Sequence, residues 1–421
     1  MSIYVALLFI ICLAVSMPIA HGLFVAGVGA MALAGKNYLF GQTIISLYDP
    51  TQKFPMIAIP LFILAGDLMM SGRFGSYLIS FAQFLVGRLR GGLAQVSVLG
   101  SLFFGGVSGS AVADASAIGN ALIPVQKKQN YPAGYPAAVN AASSTISVLI
   151  PPSIPLILYG LVTETSIVRL FVAGIIPGLL LAIGLSVLCH VIAVHRGLPP
   201  SPLQGGRSYI GQHFLKSLPA LCMPVFVVIC ARGGVLTPTE ISVFAVAYAL
   251  VIGMLIYRDL SWSVFLRCIL TSGIMTGVIM LVVMGSSVVQ WILSVEQVPQ
   301  MLASWLVATV SSEIMVILMI NLLMIAVGTF LDLPAAILLL APILITVARA
   351  IGLDSIQLGL MMVMNLAIGL YTPPVGTTLF VSVAIERVPM GRVIRELLPF
   401  YLWALTVLAL VSFVPILTSL L

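Results

Sequence analysis

Apolar runs long enough to cross a membrane recur along the whole chain, and they limit the possible folds more than any other feature. Runs occur at 3–34, 170–194, 239–257 and 401–420, and several reach the roughly 20 residues that span a bilayer as a helix. Only 7% of the residues are charged, whereas a soluble domain carries about 25%. The sequence therefore predicts an all-α polytopic membrane protein.

Charge and cysteine usage exclude two other classes of protein. In a chain this apolar, the net charge of +6 concerns membrane topology, and no nucleic-acid partner is expected. The five cysteines lie in or beside apolar segments without any pair at metal-site spacing. No organic cofactor is predicted.

The chain reads as two copies of one unit. Gly106 and Gly328 are separated by 222 residues, and so are Pro151 and Pro373, and Pro177 and Pro399. A shift that stays constant over about 70 residues indicates an internal duplication. The first repeat is predicted at 1–195, a cytoplasmic linker at 196–216 and the second repeat at 217–421.

Each repeat is predicted to contain a re-entrant helical hairpin, a broken transmembrane helix and an interfacial arm helix. The hairpins, at 94–125 and 314–348, are longer than a simple span and have a polar break in the middle. The broken helices, at about 133–163 and 355–385, each contain two adjacent prolines. Amphipathic segments between 72 and 94 and at 297–312 are predicted to be the arms.

The count of crossings predicts that the two repeats are inverted. One hairpin and one arm per repeat leave five crossings, and an odd unit repeated in tandem reverses its orientation. With the N-terminus in the periplasm, thirteen of the eighteen Lys and Arg residues fall inside, as the positive-inside rule favours.

Four breaks at membrane depth give the strongest indication of function. Unpaired backbone groups cost several kcal/mol in hydrocarbon, so such breaks persist only inside protein or beside a wet cavity. In secondary transporters, helix N-termini at such breaks suit an anionic substrate, and freed carbonyls with hydroxyls suit Na+. The candidate lining residues are Ser108, Ser110 and Ser153 in the first repeat, and Gly328, Asp332, Thr372, Gly376 and Thr377 in the second.

Some of these residues have simpler interpretations. Asp332, two residues before Pro334, is also suited to cap a helix. Asp114 is expensive at membrane depth and is therefore a functional candidate, although it could instead brace the hairpin. We expect Asp67 at the membrane interface, and His21 and His190 as packed residues.

Several stretches together resemble the large membrane (M) subunit of TRAP (tripartite ATP-independent periplasmic) transporters. They are FFGGVSGSAVADASAIG, NAASSTISVLIPPSIPLILYG, AGIIPGLLL, TPTE and LYTPPVGTTLF, and the likeness covers about 15–400.

The resemblance implies a bacterial inner-membrane Na+ symporter that imports an organic acid by an elevator movement. Sialic acid, another sugar acid or a C4-dicarboxylate is the implied substrate. A periplasmic binding protein and a separate small four-helix membrane (Q) subunit are the implied partners, with lipid around the chain. One implied Na+ site is near Ser108, Ser110, Asp114 and Pro151, and the other is near Gly328, Asp332, Thr372 and Gly376. Ser108, Ser110, Ser153, Asp332 and Thr377 are the expected substrate-binding residues.

Two alternatives remain open at this stage. A stand-alone Na+ symporter for dicarboxylate or citrate would show the same breaks. An intramembrane serine protease is a remote alternative, because GVSG at 106–109 resembles a G-x-S-G motif. Such an enzyme would need a histidine beside Ser108, and His190 is the candidate in an apolar segment.

Overall fold

A computed structural model describes residues 1–200, 207–310 and 312–419, with the side chains of 207–215, 307 and 419 left aside. Every regular element in this part of the chain is a helix. The elements of the first half are α1 (Ser2–Ala14), α2 (Ile19–Leu33), α3 (Phe40–Tyr48), α4 (Ala58–Met70), α5 (Phe74–Val86), α6 (Gly92–Ser108), α7 (Ala111–Lys128), α8 (Tyr135–Ser143), α9 (Ile154–Thr163) and α10 (Ile167–His195).

The second half repeats this series of helices. Its elements are α11 (Arg207–Gly233), α12 (Pro238–Val251), α13 (Trp262–Val295), α14 (Val298–Thr309), α15 (Glu313–Gly328), α16 (Leu333–Ala350), α17 (Ser355–Gly369), α18 (Thr377–Glu386), α19 (Met390–Phe413) and α20 (Ile416–Ser419). Helices α7 and α16 begin 222 residues apart and also end 222 residues apart. The duplication read from prolines and glycines is therefore present in the helix bounds.

The membrane-spanning helices are mixed with shorter ones. Within the described residues, six helices are long and apolar enough to cross a membrane, or seven if the bent segment containing α3 and α4 is one span. Helices α6, α9, α15, α17 and α18 have only 10–17 residues. This pattern confirms the predicted fold class, in which hairpins and broken helices alternate with full spans.

Each break has a local cause in the sequence. Gly109 ends α6 with φ of +58°, a conformation that side chains disfavour, and Ser110 then caps α7. Pro334 occupies the first turn of α16, where its missing N–H costs nothing. Gly376, with φ of +36°, precedes α18.

The two halves are interlocked through their broken helices. Helix α18 packs on α7 and α8 of the first half, and α9 packs on α16 and α17 of the second. Asn140 in α8 donates hydrogen bonds of 2.8 Å to the carbonyl of Ala115 and to Ser382 Oγ. The hairpin and broken helix of one half are therefore held by the broken helix of the other.

Glu386, which the sequence did not single out, is the strongest tie between the halves. Its buried carboxylate accepts hydrogen bonds from the N–H groups of Gly134 (2.7 Å) and Ala137 (2.8 Å) at the start of α8. Lys127 Nζ donates to the Glu386 carbonyl at 2.8 Å. A carboxylate at a helix N-terminus is favoured by the helix dipole as well as by the hydrogen bonds.

The arms are short separate helices, as predicted. Phe74, Leu78 and Ala82 are the buried apolar side chains of α5, which packs on α6 and α11. Helix α14 packs on α16 and leaves Trp305 54% exposed.

Two regions differ from the sequence prediction. Helix α11 begins at Arg207, so that 207–216 of the predicted linker 196–216 is helical, while 201–206 lie outside the described residues. The additional helix α3 precedes α4, and the helical segments containing them are bent by 65°.

Replacing Glu386 by Gln should destabilise the protein by about 2–4 kcal/mol, because one buried N–H then faces an amide NH₂. Glu164 is the matched control, since it is exposed and occupies the position 222 residues earlier. The measurement is the apparent melting temperature of both variants in the same detergent. Equal melting of the Glu386→Gln and Glu164→Gln proteins would contradict this role of Glu386.

Candidate functional site

A cavity of about 780 Å³ lies where the two hairpin tips meet, and we call it the central cavity. One side is formed by the tips and by the starts of α9 and α18. The other side is formed by the start of α2, by α4 and by the middle of α13, where Met275, Val278 and Val282 are apolar. The cavity therefore separates two layers of helices.

Four helix N-termini line this cavity. Ala111 begins α7, Ile154 begins α9, Leu333 begins α16 and Thr377 begins α18. Free N–H groups and the helix dipole place partial positive charge at each of these ends. None of the lining residues, all in the described part of the chain, is lysine or arginine. An anion would therefore be attracted by the backbone rather than by basic side chains.

The hydroxyl groups at the cavity differ in how they are used. Ser110 Oγ caps α7 by accepting from Ala113 N at 3.4 Å, and Ser108 Oγ accepts from Ser110 N at 3.4 Å. Thr377 Oγ1 is buried without a hydrogen-bond partner in the described chain. A buried hydroxyl without a partner is costly, so Thr377 is the side chain best suited to meet a bound molecule.

Asp332 stands before α16 and its carboxylate makes no capping hydrogen bond. The side chain is exposed and lines the central cavity. The capping role considered from the sequence is therefore not seen for this carboxylate, and its oxygens face the cavity instead.

Ser153, expected at the cavity, is not among the lining residues. It is fully buried, accepts from Leu156 N at 3.3 Å and donates to the Val148 carbonyl. The hydroxyl closes the break between Val148 and α9, because two prolines have removed the backbone donors there. The structure thus places four of the five predicted substrate residues at one cavity, namely Ser108, Ser110, Asp332 and Thr377.

Asp114 lies behind the cavity wall. The residue is completely buried in α7, and neither carboxylate oxygen has a hydrogen-bond partner among the described residues. An isolated buried carboxylate is unfavourable unless it is neutralised by a proton or a cation. Its surroundings therefore match either a bound cation or a protonated acid.

Close backbone approaches at both tips create oxygen-lined gaps. A Cβ placed on Gly109 would lie 2.2 Å from the Pro152 carbonyl oxygen, next to Pro151. A Cβ on Gly376 would lie 3.0 Å from the Thr372 carbonyl oxygen and 3.3 Å from that of Leu370. In both places a methyl group would fill space that carbonyl oxygens border, and such oxygens are the ligands of a hard cation.

The second gap has a further oxygen and a close helix contact. Thr372 Oγ1 donates its proton to the Ile368 carbonyl at 2.7 Å, so its lone pairs remain available to a cation. A Cβ on Gly369 would lie 2.3 Å from the Gly328 carbonyl oxygen, which shows how closely the hairpin meets the broken helix.

Two residues at the cavity were assigned differently from the sequence. Asp67 was expected at the membrane interface, but it lines the cavity and accepts from Ser272 Oγ at 2.7 Å. His21 was expected to be packed, but it is exposed and lines the same cavity. Both belong to the layer opposite the hairpins, and their sequence neighbours carry no break that would have marked them.

The geometry does not support a serine–histidine pair with the proposed base. Ser108 lines the central cavity, whereas His190 lines a different groove between α6 and α10. There the His190 ring is 3.4 Å from Gln95 Nε2.

Comparison with known proteins decides the family. Residues 6–417 match the family model described as "Tripartite ATP-independent periplasmic transporter, DctM component". The chain belongs to this family. Its members are transporter permease subunits rather than enzymes, and the chain is accordingly a multi-pass inner-membrane protein.

Individual relatives are similar over most of their length. The chain is 36% identical to the C4-dicarboxylate TRAP transporter large permease protein DctM of Pseudomonas aeruginosa, covering 88% of this chain and 87% of the relative. It is 38% identical to the sialic acid TRAP transporter large permease protein SiaM of Vibrio cholerae, with 87% and 86% covered. Among solved structures, the Alcanivorax borkumensis YdaH transporter has a TM-score of 0.61 at 14% identity, covering 97% and 98%, which shows similarity of fold alone.

Replacing Gly109 by Ala should disturb the first hairpin tip more than any strain of the backbone alone. The new methyl would meet the Pro152 carbonyl oxygen, and a positive φ costs a non-glycine residue about 1–2 kcal/mol in addition. Gly197→Ala is the control, because Gly197 also has a positive φ but nothing lies within 4 Å of the new methyl. Melting temperatures in detergent should fall clearly further for Gly109→Ala, and equal losses would show that the contact is unimportant.

Proposed function

We propose that this chain is the large transmembrane subunit of a Na+-coupled TRAP transporter that imports an organic acid. The observation that carries the proposal is the meeting of four helix N-termini at a cavity without lysine or arginine. Such a site holds a carboxylate through backbone N–H groups and hydroxyls, as membrane transporters with broken helices do.

Na+ is the proposed coupling ion, with one ion at each hairpin tip. The first would lie near Ser108, Ser110, Asp114 and Pro151, and the second near Gly328, Asp332, Thr372 and Gly376. The oxygen-bordered gaps at Gly109 and Gly376 support these positions. A cation at each tip would draw hairpin and broken helix together and would offset the negative charge of the substrate.

Substrate contacts are proposed from the groups that remain available at the cavity. Thr377 Oγ1 and Ser110 Oγ would donate to the carboxylate or to hydroxyls of the acid, while Asp332 would act through the cation and through sugar hydroxyls. The absence of arginine from the lining favours a sugar acid such as sialic acid over a C4-dicarboxylate, which carries two carboxylates.

The movement we propose is an elevator, in which hairpins and broken helices slide against the opposite layer. A second cleft of about 500 Å³ lies between the same two layers and is lined by Asp49, Lys53 and Gln290. Residues of α13 from Met275 to Val282 line the central cavity, and residues from Val283 to Ser294 line the second cleft. Two clefts at successive levels of one spanning helix support alternating access from the two sides of the membrane. With a periplasmic N-terminus, the central cavity would open toward the cytoplasm.

The proposed partners are a small four-helix Q subunit and a periplasmic binding protein. Uptake of labelled sialic acid or a C4-dicarboxylate into proteoliposomes tests this arrangement. It should require an inward Na+ gradient together with the binding protein. Equal uptake without the binding protein would instead support the alternative, a stand-alone Na+ symporter for dicarboxylate or citrate.

Replacing Thr377 by Val should lower Na+-dependent uptake at subsaturating substrate by about tenfold, the usual effect of losing a hydrogen bond to a charged group. The shape of the side chain is preserved, so folding and insertion should be unaffected. Thr406→Val is the control, because that exposed hydroxyl donates only to the Leu402 carbonyl of its own helix.

Replacing Asp332 by Asn should weaken the dependence of uptake on Na+ while the protein still inserts in the membrane. A neutral amide leaves the carbonyl ligands in place but removes the negative charge that favours a cation. The measurement is the Na+ concentration that gives half-maximal uptake, which should rise. Wild-type Na+ dependence of the Asp332→Asn protein would remove this residue from the proposed cation site.

A further inference from the structure

A groove of about 410 Å³ follows the seam between α6 and α10, away from the central cavity, and we call it the seam groove. Its wall is mostly apolar, with Leu99 and Leu102 from α6 and Leu179, Ala182 and Ile183 from α10. Three polar side chains, Gln95, Ser186 and His190, line one end. The groove is therefore polar at one end and apolar along the remainder.

The polar end is fixed by a chain of hydrogen bonds. Gln95 is only 1% exposed, and its Oε1 accepts from Ser186 Oγ at 3.2 Å. Gln95 Nε2 then lies 3.4 Å from His190 Nδ1. Because an amide nitrogen can only donate, the neutral imidazole accepts at Nδ1 and carries its proton on Nε2. His190 thus presents an N–H donor that no other described residue uses.

Basic residues lie beside this polar end in the chain. Leu89 lines the groove, and Arg88 and Arg90 stand on either side of it immediately before α6. Both arginines are exposed, and neither forms an ion pair with a carboxylate in the described part of the chain. Arg196, at the end of α10, is already paired with Glu396 at 2.8 Å. The free positive charge at this end is therefore provided by Arg88 and Arg90.

The dimensions of the groove select the occupant. From Leu179 to His190 it extends about 16 Å along α10 at 1.5 Å per residue, close to half of the roughly 30 Å hydrocarbon core. Divided by this length, the volume gives a cross-section of about 26 Å², or about 5 Å across, whereas a helix needs about 10 Å. A single hydrocarbon chain fits these dimensions and a helix of another protein does not.

We propose that the seam groove binds one acyl chain of an anionic glycerophospholipid, whose phosphate is held by His190 and by Arg88 or Arg90. The lipid would belong to the leaflet at the end where α6 begins. Since α6 is one limb of the first hairpin, the lipid would be bound to the hairpin side of the molecule. The proposal does not depend on the identity of the transported acid.

The test uses the full chain in vesicles of phosphatidylethanolamine and phosphatidylglycerol, with a trace of phosphatidylglycerol that carries a photoreactive group on one acyl chain. After illumination, mass spectrometry locates the labelled residues. Labels should concentrate at Leu99, Leu102 and Ile183. Labelling at an equal level on all exposed apolar helix faces would overturn the proposal, because the groove would then be ordinary lipid-facing surface.

Two substitutions with matched controls separate the acyl chain from the phosphate. Ile183→Trp should fill the groove and reduce its labelling about tenfold, as expected when about two methylenes lose an apolar site. Leu402→Trp, on an equally lipid-facing part of α19 outside the groove, should leave the labelling unchanged.

His190→Phe should keep the packing of the groove and remove the donor, which should lower labelling about tenfold. His195→Phe is the control, because His195 is exposed and lies outside the lining of the groove. Unchanged melting temperatures would show that all four variants are folded. If His190→Phe and His195→Phe are labelled alike, the phosphate is not held by His190 and the proposal fails.

Discussion

The unpaired N–H groups at the starts of α7, α9, α16 and α18 are the constraint on which the rest of the structure depends. In hydrocarbon each such group costs several kcal/mol, so a helix that starts inside a membrane needs a polar or wet place for its first turn. Bringing four such starts to one cavity solves this problem once for all of them. The same arrangement accumulates positive potential at the cavity without any basic side chain, which explains why an anion site and a stable fold coincide here.

Close packing of small residues makes this convergence possible. Gly105 faces Ser147, where an added Cβ would lie 2.6 Å from the Ser147 Cα, and the equivalent contact in the second half joins Gly328 and Gly369. Side chains at these positions would separate the hairpin from the broken helix and open the backbone to lipid. The Glu386 carboxylate then binds the start of α8 to the end of α18, so that hairpins and broken helices form one body.

Much of the fold followed from the sequence, because the hairpins and broken helices leave local marks. Pro151–Pro152, Pro373–Pro374 and the glycines of the tips interrupt apolar runs, and an interruption at membrane depth allows few structures. The interlock was not foreseeable, since Glu386 is a single acid near a helix end and its partners are more than 240 residues away. Asp67 and His21 were assigned to other surroundings for the same reason, because only the tertiary packing of α2 and α4 brings them to the cavity. Ser153 was recognised as part of a break, but its hydroxyl is used to close the break rather than to line the site.

The two halves have kept the same helices and given them different surfaces. Ser116 and Asn120 of α7 line the central cavity, whereas the residues 222 positions later, Leu338 and Pro342 of α16, line the second cleft. Repeating a helix preserves its N-terminus and therefore its attraction for an anion, but it does not preserve the polarity of its side. The backbone thus supplies what both halves must share, which is the charge at the tips. The side chains beyond the first turn are free to differ, and the polar flank of α7 gives the central cavity hydrogen-bonding groups that the flank of α16 lacks.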